Sequence, residues 1–267
     1  MKKWFSVLFF SILFSFFCWT PSYATTIRIS APKVELELAA GEVYSGEIIA
    51  ENPEDTPADT KLYLEDWEYV PNGTGEKKFL PEGSTPFSAS KWIAFTPASE
   101  KIQPYGRITA RYTITVPPDA KGAYYSVLFF ETLLGSSKDE EGVNVLVAGR
   151  IGALFFIQIK GKVNREGDIK SVDVKAPEGN KPMEINTVFR NTGNVNVELG
   201  GNFLILDAEG KVQGRGDISK IYTFPGTESS RVTQWIGKLS PGTYQILLTY
   251  DLGKGKSLVE EKTLIIK

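Results

Sequence analysis

Residues 142–160 read GVNVLVAGRIGALFFIQIK, and the change of pattern inside this run decides how the chain is organised. From Val143 to Ala148 it alternates: Val143, Val145 and Val147 fall on one side of an extended chain, and Asn144, Leu146 and Ala148 fall on the other. From Ile151 to Ile159 it is almost entirely apolar, as suits a strand covered on both faces. The expectation is a strand that starts at a sheet edge and ends in a core. Its first half is then open to another chain by strand addition, with the valines outward and their neighbours facing the domain's own core. The alternative is a central strand covered along its whole length by its own domain.

Working outward, short β-forming segments bounded by Gly, Pro, Asn or Asp fill the chain on both sides. Before the run, the pattern predicts strands at Lys33–Leu38, Val43–Ala50, Lys61–Tyr69, Trp92–Phe95, Ile108–Val116 and Ala123–Leu134, with a long polar loop from Pro71 to Pro86. After it come Ile169–Val174, Met183–Arg190, Val195–Leu199, Phe203–Leu206, Lys220–Phe224, Arg231–Ile236, Thr243–Leu252 and Leu258–Ile266. Turn sequences such as Asn191-Thr192-Gly193-Asn194 and Ser240-Pro241-Gly242 separate them. No stretch carries a helical period. The fold class is therefore all-β: two β-sandwich domains in series, 25–160 and 161–267, divided in the glycine-containing stretch Gly161–Gly167.

Residues 1–24 read as a cleaved secretory signal peptide. Lys2 and Lys3 precede the apolar run Trp4–Phe17, and Ser22-Tyr23-Ala24 offers small residues for cleavage after Ala24. Cys18 follows Phe16 and Phe17, where a lipid-modified cysteine wants small residues; lipoprotein and uncleaved anchor are the alternatives. The expected location is the periplasm, or outside the cell, with no membrane-embedded segment.

The remaining chain has neither histidine nor cysteine, so Ser-His-Asp and Cys-His catalysis, His-ligated zinc and disulfides are all excluded there. Without Lys2 and Lys3, 28 basic residues stand against 32 acidic ones, and no basic patch supports nucleic-acid binding. Asp139-Glu140-Glu141 reads as a solvated loop and lacks a calcium-loop pattern. No enzyme, cofactor or metal is expected. Trp67, Trp92 and Trp235 could stack on sugars, but Trp67 and Trp92 lie in apolar strand contexts that suit core packing. Asn72-Gly73-Thr74 matches a glycosylation sequon and reads as a turn.

Several landmarks occur in a telling order: Pro32-Lys33-Val34, Gly41-Glu42, Asn52, Trp92-Ile93, Phe95-Thr96-Pro97, Ile102-Gln103-Pro104-Tyr105-Gly106 and Arg111. Pro117-Pro118-Asp119-Ala120, Gly122-Ala123-Tyr124-Tyr125, Arg150-Ile151 and Phe155-Phe156 follow. In these the first domain, about half of the chain after the signal, resembles the periplasmic pilus chaperones of the PapD type, as a divergent member or relative. The resemblance implies that the two β-sandwich domains are immunoglobulin-like, and it implies a chaperone that binds an exported fimbrial or surface subunit by donating its last first-domain strand, with an outer-membrane usher as a further partner. It puts Val143, Val145 and Val147 at the donor positions. In that family a basic pair grips the subunit's C-terminal carboxylate; Lys33 falls where the family has arginine, but Gly152 falls where it has lysine, and Arg150 lies close by. The competing expectation is a secreted structural or adhesion module that presents its loops, chiefly Pro71–Pro86.

Overall fold

The structure, a computed structural model, describes residues 27–138, 143–179 and 181–267. The expected signal peptide with Cys18, as well as Gly142 and the Asp139-Glu140-Glu141 turn, lies outside the described residues.

The first ten strands are β1 (Arg28–Ile29), β2 (Lys33–Leu38), β3 (Val43–Glu51), β4 (Ala58–Tyr69), β5 (Lys77–Leu80), β6 (Ile93–Thr96), β7 (Ser99–Ile102), β8 (Arg107–Thr115), β9 (Ala123–Lys138) and β10 (Asn144–Ile159). They form two facing sheets, β1-β3-β8-β6 and β2-β10-β9-β4-β5, with β7 beside β4. Alternate residues of each strand fill the space between them: Ile48, Ala110 and Ile114 from one sheet, Leu62, Leu128, Phe130, Phe155 and Ile157 from the other. Eight more strands follow: β11 (Gly167–Lys175), β12 (Met183–Asn191), β13 (Val197–Leu206), β14 (Val212–Asp217), β15 (Ile221–Thr223), β16 (Glu228–Trp235), β17 (Gly242–Gly253) and β18 (Lys256–Ile266). They make the sheets β11-β12-β16 and β14-β13-β17-β18, with β15 beside β13, around Ile185, Phe189, Phe203, Ile246, Leu248 and Tyr250. Among the described residues no strand pairing joins the two sets, and the only helical turn is the 3-10 segment Ser90–Trp92. The protein is a pair of β-sandwiches.

The sandwiches meet through an aromatic cluster on the outer face of the β10-β9-β4 sheet. Trp67 lies edge-on to Phe156, Phe224 and Tyr125, at ring distances of 4.9, 5.2 and 5.5 Å. Its indole N–H donates to the Ser126 carbonyl at 3.1 Å. Phe224 comes from the second sandwich, so Trp67 is a packing residue and is unavailable to a sugar. Trp92 also packs internally, 4.0 Å from the Tyr124 ring.

Two readings of the sequence need correction. Residues 77–80 are not loop: β5 pairs with β4, because Phe79 has the Phe129 ring to pack on at 4.9 Å, a contact that no local alternation announces. The turn before it docks on the second sandwich, where the Gly73 carbonyl accepts from the Tyr222 N–H at 3.2 Å and from Arg231 at 3.4 Å. That takes part of the Pro71–Pro86 segment out of any external contact surface. In the second sandwich, the segments expected at Val195–Leu199 and Phe203–Leu206 are parts of a single strand that begins at Val197. β13 pairs with β15 over Val197–Leu199 and with β17 over Gly200–Leu206. Gly201, at φ 149°, comes so close to the Thr249 carbonyl that a side chain would collide. Gly200-Gly201 thus changes the strand's partner where it had read as a break.

Asp66, fully buried on the core face of β4, fixes the loop after β5. It accepts hydrogen bonds from the hydroxyls of Ser88 and Ser90, each at 2.6 Å, and from the Thr85 N–H at 3.0 Å. Burial alone pushes its pKa up; these donors outweigh burial and hold the carboxyl below the ordinary aspartate value.

Candidate functional site

The sixteen residues of β10 are unequally covered. Along one side the strand pairs antiparallel with β9 throughout, from Asn144 opposite Lys138 to Gln158 opposite Ala123. Along the other side β2 pairs with only six residues, Leu154–Ile159, and runs parallel to them. The ten residues Asn144–Ala153 have no strand on that side among the described residues. At about 3.3 Å per residue this open edge is roughly 33 Å long. It is open because of how the chain enters the sandwich. Arg28 and Ile29 pair with Glu51 and Ala50 of β3, in the opposite sheet, and Ser30–Pro32 then carry the chain across. The Pro32 carbonyl accepts from the Leu154 N–H at 3.0 Å, and β2 begins opposite that residue.

The strand's two halves differ in burial as their sequences do. Ala153, Phe155, Ile157 and Ile159 enter the sandwich core, while Phe156 and Leu154 join the aromatic cluster on the other face. Val143, Val145 and Val147 are 40–57% exposed. They follow the same alternation as the core residues, so the valine row continues the core row out of the sandwich. The expectation that the intervening side chains face the domain's own core is not met. Leu146 is 69% exposed and Ala148 is exposed, because β9 and β10 run together past the packed core, where neither face is covered. Leu133 and Leu134 on β9 are exposed in the same region.

The basic residues are not brought together. Arg150 lies over the Phe129 ring at 4.1 Å and near Phe79 at 5.4 Å, on the outer face of the sheet. Its guanidinium reaches Glu65 at 2.9 Å and donates to the Tyr63 hydroxyl at 3.2 Å, and Tyr63 in turn donates to Glu131 at 2.6 Å. Burial disfavours the arginine's charge, but these partners hold its pKa above the ordinary value. Lys33 instead lies over the Phe156 ring at 4.6 Å and pairs with Glu35 at 2.8 Å. It lines a cleft of about 300 Å³ between the sandwiches that Arg165 and Lys254 share with it and Arg150 does not. Arg165 was not singled out from sequence; its place depends on contacts with Gln158 at 3.3 Å and the Asn196 carbonyl at 3.1 Å, both remote from any motif. Gly152 has no room for a lysine: a Cβ there would stand 2.6 Å from Val127 and 2.9 Å from Phe129. Among the described residues no group of three or more acidic side chains is placed to hold a metal ion, and no helix is long and apolar enough to cross a membrane.

No protein-family model matches the chain, and no curated protein matches it. Solved structures similar to it include a chaperone–tip adhesin complex of CFA/I fimbriae, at 14% identity over 89% of this chain and 99% of that one, with a TM-score of 0.48. Another is the class 5 fimbriae chaperone CfaA, at 15% identity over 89% and 99% with a TM-score of 0.47. A third is the CsuC–CsuE chaperone–tip adhesion subunit complex from the archaic chaperone-usher Csu pili of Acinetobacter baumannii, at 13% identity over 89% and 98%, with a TM-score of 0.45. These are likenesses in overall arrangement between distant sequences, and the reading of the site rests on the open edge itself.

Proposed function

We propose that this protein is a periplasmic chaperone that holds an exported pilin-like or other surface subunit by lending it the open edge of β10. The observation that carries the reading is the ten-residue edge Asn144–Ala153, which has no strand on one side among the described residues and is bordered by exposed valines. A subunit short of one strand would pair its backbone with this edge and close over Val143, Val145 and Val147. A fully buried valine contributes about 1.5–3 kcal/mol; with roughly half of each already covered, the three together contribute about 2–4 kcal/mol before the costs of association. Backbone pairing supplies the remainder, which makes the grip general for strand-deficient subunits.

Of the three cations in the cleft, Lys33, Arg165 and Lys254, the resemblance to the pilus chaperones selects Lys33 to meet the subunit's C-terminal carboxylate. Arg150, engaged by Glu65 and stacked on Phe129, supports the sheet face and is not the second cation of that contact. We propose Lys160/Gly161 as the division between the sandwiches and an outer-membrane usher as the acceptor of the loaded complex.

The test is co-expression with a pilin-like subunit whose sandwich lacks one strand. Val145→Asp puts a charge on an exposed position, so the protein should stay within about 0.5 kcal/mol of its original stability. It should nonetheless lose the subunit, because the carboxylate would be buried unpaired in the complex. Lys33→Ala should weaken capture by about 2–5 kcal/mol if the carboxylate contact is made there. A subunit held equally well by Val145→Asp, or not held by the unaltered chain, would end the strand-lending reading in favour of a structural module.

A further inference from the structure

The apolar row on β10 has a gap. Its order is Val143, Val145, Val147, Gly149, Ile151, and the fourth position carries no side chain. β9 is irregular at the same level: Val147 pairs with Gly135 and Ala148 with Leu133, so Leu134 is an extra residue with no counterpart. Gly135 accommodates the bulge with φ 140°, a conformation that favours glycine. Leu134 is thereby turned across the gap. A Cβ at Gly149 would meet Leu134 at 3.3 Å from Cδ1 and 3.5 Å from Cδ2. The leucine is still 37% exposed, beside a cavity of about 140 Å³ that Ile27, Pro57 and Ala58 also line.

We propose that Leu134 is a further partner-contacting residue, lent by β9 to fill the place of the side chain that Gly149 lacks. This rests on the strand-lending reading above. The incoming subunit then meets an unbroken apolar row, Val143, Val145, Val147 and Leu134, running into Ile151 and the core. The properties of the surface define the occupant. An open backbone edge calls for an extended segment. The uncharged stretch from Val143 to Gly149 calls for an apolar groove. Exposed side chains on the inner row call for a layer to cover them, which a short peptide does not bring. A sandwich domain lacking one strand brings both; a second copy of this chain, paired edge to edge, would extend the sheet and leave both inner rows bare.

The experiment titrates a pilin-like subunit whose sandwich lacks one strand, released from denaturant, against the full exported protein and its variants. Leu134→Ala should bind about tenfold more weakly with an unchanged melting temperature. Gly149→Val alone should also weaken binding, because its side chain displaces Leu134. In the Leu134→Ala background the same valine has room, and Gly149→Val should recover most of the loss. If Leu134→Ala binds like the original while Val145→Asp has lost the subunit, Leu134 is idle and strand lending stands. If Val145→Asp also binds normally, strand lending falls and Leu134 with it. If Leu134→Ala alters only self-association in sedimentation, the occupant is a second copy and the proposal is overturned.

Discussion

Replacing Gly152 by lysine is the change that the resemblance to pilus chaperones invites, because it restores the missing member of their basic pair. The structure says it will damage the sheet instead. The first added atom would lie 2.6 Å from Val127 Cγ2 and 2.9 Å from Phe129 Cε1. Neither neighbour yields easily. Val127 is fully buried, and the Phe129 ring packs against both the Arg150 guanidinium at 4.1 Å and the Phe79 ring at 4.9 Å. Overpacking of this kind costs about 1–3 kcal/mol. Losing a glycine from a strand returns about 0.4–1 kcal/mol through the unfolded chain. Gly152→Ala should therefore destabilise by about 1–2 kcal/mol, and Gly152→Lys by at least as much, since its ammonium must also leave an aromatic face already occupied by Arg150. Val127→Ala should cost about 1–3 kcal/mol alone through the cavity it leaves. In the double variant Gly152→Ala with Val127→Ala, the new methyl enters that cavity, and the combined loss should fall short of the sum by about 1 kcal/mol. Urea unfolding followed by tryptophan fluorescence reads this directly, because Trp67 belongs to the same cluster. A neutral Gly152→Ala with strictly additive behaviour would refute the packing argument. A stable Gly152→Lys that captures subunit more tightly would refute the claim that the second cation has no place there.

Two further outcomes follow from the frame. Asp66→Ala should cost about 2–3 kcal/mol near neutral pH, the scale of a lost hydrogen bond to a charged group. Because Asp66 is held below the ordinary aspartate pKa, its contribution is complete above about pH 4 and disappears as the pH falls through its folded value, so the gap between variant and original should close in acid; a gap that persists in acid contradicts the assignment. Phe224→Ala should cost about 3–5 kcal/mol and split thermal unfolding into two transitions, since its ring joins Trp67, Tyr69 and Tyr125 of the other sandwich; a single sharp transition would mean the sandwiches are coupled elsewhere.

Strand existence was legible wherever alternation and turn residues agreed, as at Lys33–Leu38, whose predicted and observed bounds coincide. What escaped was set by contacts remote in sequence. β5 exists because Phe79 meets Phe129, β13 turns between partners at a glycine pair that reads as a loop, and the short β1 is defined only by its pairing with β3. At the edge, the alternation at Val143–Val147 was visible, and so was the shift to a buried run after Ile151. The bulge at Leu134 was not, since an extra residue on one strand leaves no mark until its partner is known. The positions of Arg150 and Lys33 on separate features were equally hidden, because their neighbours Glu65, Phe129 and Phe156 come from other segments of the chain.

The length of the open edge is not a property of β10 at all. It is set by where the entering chain changes sheets: β1 finishes one sheet, and only after Ser30–Pro32 does β2 begin to cover the other. Moving that crossing a few residues earlier would seal β10 with the protein's own backbone and leave its sequence, valines included, untouched. A few residues later, the edge would lengthen into the region that Phe155 and Ile157 need for the core. The reach of the site is therefore a timing decision made by the first few residues of the sandwich, far along the chain from the strand that would make the contact.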